Sequence, residues 1–103
     1  MQGVVIEISR LVDDHFPGFV ECLLIDSAGE KHVFVEKAPV VSGELSSTST
    51  LPAAGAIACV VESEWQDHEG RALVNINTEK PWGVESSAGQ TRFVVLASQL
   101  VGA

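Results

Sequence analysis

Val20-Glu21-Cys22-Leu23-Leu24-Ile25-Asp26-Ser27-Ala28-Gly29-Glu30-Lys31-His32-Val33-Phe34-Val35-Glu36 is a β-prone run, an Asp-x-x-Gly tetrapeptide, and a second β-prone run. Asp at the first position of a four-residue turn accepts local backbone hydrogen bonds, and Gly at the fourth takes a positive φ at no steric cost. The stretch predicts a β-hairpin whose type I turn is closed by a glycine bulge. The pattern returns at an offset of 41 residues: Val20, Glu21, Asp26 and Gly29 recur as Val61, Glu62, Asp67 and Gly70, and Val33 and Val35 as Val74 and Ile76. Duplication of one hairpin and convergence of two both give such a pattern, and the assignment of faces follows in either case.

Outward from these hairpins, alternation and β-branched content predict six strands, over residues 3–12, 18–26, 30–36, 56–66, 71–78 and 91–97. Ser86-Ser87-Ala88-Gly89 repeats the turn form, and His15-Phe16-Pro17-Gly18 breaks the chain between the first two strands. Residues 42–54, rich in Ser and Thr, read as a surface crossover with at most one helical turn. The expected fold is all-β, a small antiparallel β-barrel or rolled β-sandwich built on two similar hairpins, with residues 1–103 forming a single domain.

A chain of 103 residues, 46% of them hydrophobic, can build one core without metal or disulfide staples. Fourteen Asp and Glu against six Lys and Arg give a net charge of −8, which disfavours nucleic acid because binding there depends on basic groups releasing counterions. Met1 leads straight into Val4-Val5-Ile6 with no basic leader, and no apolar run approaches membrane-spanning length; the cytoplasm is the expected address. Cys22 and Cys59 each lie in an apolar strand and read as buried reduced thiols.

Period-two alternation puts Val20, Cys22 and Leu24 on the inner face of the first hairpin, and Cys59, Val61 and Trp65 on that of the second. Aligning the repeats adds Val33, Val35, Val74 and Ile76 to this set, with Val4, Ile6 and Ile8, and Phe93 and Val95 or their neighbours, from the flanking strands. The opposite face then carries an apolar patch of Leu23, Ile25 and Phe34 beside His32, and an acidic set of Glu21, Glu36, Glu62 and Glu64. An apolar patch on an outward face calls for a cover, from the chain itself or from another molecule.

Catalytic signatures are absent from the sequence: no glycine-rich phosphate loop, no Gly-x-Ser-x-Gly, no His-Glu-x-x-His and no Cys-x-x-Cys. Asp13-Asp14-His15 is the densest group of possible metal ligands and reads as a polar turn; no metal or other cofactor is expected. His32 and His68 would need a strand middle and a turn tip to meet before they could share an ion. Glu62 and Glu64, with Glu21 nearby, could divide acid and base roles if burial raised one pKa, yet nothing around them suggests a cleft. Trp82, after Pro81, reads as a lid on a barrel end that could form a ligand rim with Phe16.

The strings FVEKAPVV (Phe34 to Val41), PWGVES (Pro81 to Ser86) and GQTRFVV (Gly89 to Val95) resemble those of a group of small uncharacterised bacterial β proteins of about this length. The resemblance covers nearly the whole chain and implies a bacterial, cytosolic origin. It carries no activity, cofactor or functional residue with it.

The expected function is that of a non-enzymatic acidic interaction module, homodimeric through the patch around Leu23, Ile25 and Phe34. Its sharper form is an immunity-type inhibitor of a basic protein. The alternative is a small-ligand-binding barrel that uses Trp82 and the end loops.

Overall fold

The computed structural model describes residues 2–41 and 50–102. Seven strands follow in chain order: β1 (Gln2–Asp13), β2 (Phe19–Ile25), β3 (Lys31–Lys37), β4 (Ala53–Gln66), β5 (Ala72–Asn77), β6 (Arg92–Leu96) and β7 (Leu100–Gly102). A single helical turn, α1 (Ala38–Val41), follows β3, and a 3-10 turn precedes β7. The fold is all-β, a curled antiparallel half-barrel in which six strands run in the order β3-β2-β1-β4-β5-β6. Most of the predicted crossover, residues 42–49, lies outside the described residues; its last two join β4, which starts three residues before the predicted strand.

Two long strands shape the curl. Residues 2–8 of β1 pair with residues 53–59 of β4, residues 7–13 of β1 pair with β2, and β7 fills in beside Gln2 to Val4. The far half of β4 turns away to pair with β5. The sheet's two outer strands, β3 and β6, are tied together through turns. The Ser27 N–H donates to the Val94 carbonyl at 2.9 Å, and the Ser87 N–H to the Val33 carbonyl at 2.8 Å. The concave face encloses Ile8, Leu24, Phe34, Ile57, Ile76 and Val95, all withdrawn from water.

The predicted turns form, three times over. Gly29, Gly70 and Gly89 adopt φ of 82°, 80° and 81°, and their N–H groups donate to the carbonyls of Asp26, Asp67 and Ser86 at 3.0, 3.0 and 2.8 Å. Within the first two turns Asp Oδ1 accepts two further N–H groups, from Ala28 and Glu30 on Asp26 and from Glu69 and Arg71 on Asp67, all at 2.9 Å. The loop between the paired residues Asp26 and Glu30 is three residues long. Cys22 therefore faces Phe34, Leu24 faces His32 and Val20 faces Glu36.

That register corrects the expected faces of β3. Directly opposed residues of an antiparallel pair share a face, so Phe34, His32 and Glu36 join Val20, Cys22 and Leu24 on the inner side. Phe34 is fully buried, and Val35, expected inside, is 45% exposed. Trp65, also expected inside, is 41% exposed. Between Val61 and Ser63 the pairing of β4 with β5 slips at Glu62, and a bulge of this kind inverts the alternation beyond it. The 41-residue repeat therefore preserves the turns and fails to preserve which side chains point inward.

Candidate interaction surface

With the register established, the outer face can be read row by row. Ala54 on β4, Glu7 on β1, Leu23 on β2 and Val33 on β3 are successive neighbours across four strands. The next row brings Ala56 beside Val5, and Ile25 beside Lys31; on the other side, Glu21 lies beside Val35. Leu23 and Val33 are half-buried, Ile25 is 49% exposed, and Val5 and Ala54 are exposed as well. A shallow groove of about 440 Å³ runs over this face, bordered by Val5, Glu7, Leu23, Ile25, Ala54 and Gln99 among others. The Gln99 side chain donates to the Ile25 carbonyl at 2.8 Å and so forms one wall.

Of the expected patch, Leu23 and Ile25 lie on this surface, whereas His32 and Phe34 belong to the opposite side of the sheet. The structure puts Val5, Val33, Val35, Ala54 and Ala56 in their place. For β1 the signal was present in the sequence, since burying Val4, Ile6 and Ile8 necessarily turns Val5 outward. For Ala54 and Ala56 no signal existed, because small residues carry little weight in a hydrophobic pattern.

The four expected acidic residues do not form one face. Glu21 is on the outer face in an ion pair with Arg10. Glu36 is on the inner face and half-buried, and burial raises its carboxyl above the usual value, with Glu85 adding repulsion against a bond from the Lys37 N–H. Glu62 sits at the bulge, where Arg92 Nε donates at 2.8 Å and Asn77 Nδ2 at 3.3 Å; the Arg92 bond holds its carboxyl below the usual value. Glu64 lies opposite Val74, on the core side of the sheet but past the edge of the core, and is exposed.

Trp82 borders a second shallow groove, about 300 Å³, with Pro39, Val40, Ala56 and Val101. Phe16 is absent from its lining and is 98% exposed at a turn tip, so the two rings make no common rim.

Two further groups of titratable side chains brought together by the fold serve the turns. Asp13 accepts both the backbone N–H and the ring Nδ1 of His15, at 2.9 and 2.7 Å, which holds its carboxyl low. His32 Nε2 meets Asp26 Oδ2 at 2.8 Å, and its ring stands edge-on to Phe93 at 4.8 Å. Asp13, Asp14 and His15, and likewise Asp26, Glu30 and His32, place ligand atoms within 4.8 Å of one another. In each case hydrogen bonds inside the turn account for the grouping. Cys22 and Cys59 are buried free thiols, and burial, helped by Glu36 and Glu21, pushes Cys22 up to about 12. Among the described residues every buried side-chain polar atom has a hydrogen-bond partner. No helix among them is long and apolar enough to cross a membrane. No protein-family model, curated protein or solved structure matches the chain.

Proposed function

We propose that this protein is a non-enzymatic interaction module whose contact surface is the outer face of β4, β1, β2 and β3. The carrying observation is that each of four adjacent strands puts apolar side chains on this face, Ala54 and Ala56, Val5, Leu23 and Ile25, and Val33 and Val35, interrupted within it by Glu7, on a chain of net charge −8 whose concave face already supplies a filled core. The outer face of a sheet without a covering layer is ordinarily polar, and one this rich in apolar side chains marks a place where another surface docks. The state of the ionisable groups supports a binding role over a chemical one: the buried thiols are held protonated, and the perturbed aspartates are engaged in turns.

Site-specific photo-crosslinking in the producing cell tests this reading. A photoreactive residue at position 25 should give a discrete protein adduct, and the same residue at position 69, on the exposed turn of the second hairpin, should not. Equal labelling at both positions, or none at 25, would remove the outer face as a docking surface.

A further inference from the structure

Glu7 is the one charged member of the row Ala54–Glu7–Leu23–Val33. Its carboxylate accepts a bond from Ser9 Oγ at 3.3 Å and forms no salt bridge among the described residues. Covering this row with an apolar surface would strand an anion away from water, which is strongly unfavourable unless the covering surface brings a cation. The chain itself carries such a cation near by. Lys31 is opposite Ile25 at the β3 border of the same face, is exposed, and has no acidic partner among the described residues.

The face as a whole is close to neutral. Arg10, Lys31 and Lys37, three of the six basic residues, project from it against Glu7, Glu21 and Asp13, so the excess negative charge of the chain lies elsewhere. Two copies can approach through this face without the mutual repulsion that the remaining surface would impose.

Resting on the interaction-surface reading, we infer that the occupant is a second copy of this chain, packed sheet against sheet about a twofold axis along β2. Each Glu7 then comes within reach of Lys31 of the other copy. Strands β1 and β3 flank β2 at equal distances of about 4.8 Å, so rotation about that axis exchanges them. Glu7 of one copy lands over Val33 of the other, two residues or about 7 Å along the strand from Lys31, within the combined reach of the two side chains. The contact is isologous, and each interface holds the pair twice.

Sedimentation equilibrium on the whole chain tests the arrangement, with far-UV spectra confirming that each variant is folded. Wild type should be dimeric, Glu7→Lys and Lys31→Glu should each weaken the dimer by about tenfold or more, and the double variant, which swaps the pair, should recover most of that loss. A monomeric wild type overturns the inference, as does a double variant no tighter than the singles. Dissociation by Ile25→Glu with no response to the charge variants overturns the Glu7–Lys31 arrangement and leaves the docking surface standing. So does an adduct at position 25 that contains a protein other than a second copy. Loss of the adduct altogether removes the surface reading itself.

Discussion

The two hairpins share one turn and diverge in everything the turn does not control. Asp26 and Asp67 each use Oδ1 to hold two backbone N–H groups, with matching distances. Their second oxygens differ: Asp26 Oδ2 meets the half-buried His32 ring at 2.8 Å, and Asp67 Oδ2 meets the exposed Arg71 guanidinium at 2.7 Å. The β2–β3 ladder runs without a slip from turn to end, whereas the β4–β5 ladder slips at Glu62. A turn motif thus determines the pairing next to it, and a single inserted residue farther along decides which side chains reach the core.

The largest expected effect contrasts two aromatic residues whose places the bulge and the register decide. Phe34→Ala should cost about 3–5 kcal/mol, as truncation of a fully buried ring does. Trp65→Ala should cost roughly half as much, because two-fifths of that side chain remains in water. Chemical denaturation ranks them. A larger loss for Trp65 would mean that the slip at Glu62 does not occur and that the repeat does preserve the faces.

Legibility in the sequence followed the same division. The turn at Asp26 to Gly29, its copies, the all-β barrel-like class with six of the seven strands, and the inner positions Val4, Cys22, Leu24 and Cys59 were readable because they depend on local chemistry and on uninterrupted alternation. Phe34 and Val35 were misplaced because aligning the repeats overrode the parity that the three-residue Asp-x-x-Gly loop imposes on β3, and Trp65 and Glu64 because their faces depend on one bulge that leaves no residue signature. The surface was half legible for the same reason. Leu23 and Ile25 follow from β2 alone, but Val33, Val35, Ala54 and Ala56 become neighbours only once four strands are in register.

Next in size are the two turn carboxylates. Asp26→Ala would leave the half-buried His32 without its partner and free two backbone N–H groups, a loss of about 1–3 kcal/mol. Asp67→Ala should cost less, since its partner Arg71 is exposed and keeps water contact whereas His32 is half-buried. Both carboxyls lie below the ordinary value of 3.8: Asp67 through Arg71, and Asp26 because bonds from His32, Glu30 and Ala28 outweigh the upward push of burial. A depressed folded pKa means that protonation favours the unfolded chain. The stability from each turn is therefore complete above about pH 4 and is lost as pH falls through the folded pKa. Carboxyl NMR titration should show His32→Leu raising Asp26 and leaving Asp67 unmoved; equal movement of both would mean that the turns are not independent.

The cysteines of the two hairpins should behave alike despite the different ladders. Burial raises both thiols, Cys22 to about 12, so neither should react with a thiol reagent at pH 8 in the native state and both should react in denaturant. Fast native labelling of Cys59 alone would show that β4 opens more readily than β2.

The smallest effect tests what makes the hairpins differ. Glu62 occupies the slip and is held by Arg92 and Asn77, so either that contact creates the bulge or the bulge places the contact. The geometry of β4 argues for the second. The strand pairs with β1 through Cys59 and with β5 from Val60 onward, and a bulge supplies the bend and extra twist needed where a strand leaves one partner for another. Glu62→Ala should therefore keep the register, lower the melting temperature only slightly, and leave tryptophan emission at the wavelength of solvent-exposed rings, since both Trp65 and Trp82 are exposed. A blue shift that disappears when Trp65 is replaced by Phe would show Trp65 rotating inward, and would make the Glu62–Arg92 contact the cause of the difference between the hairpins.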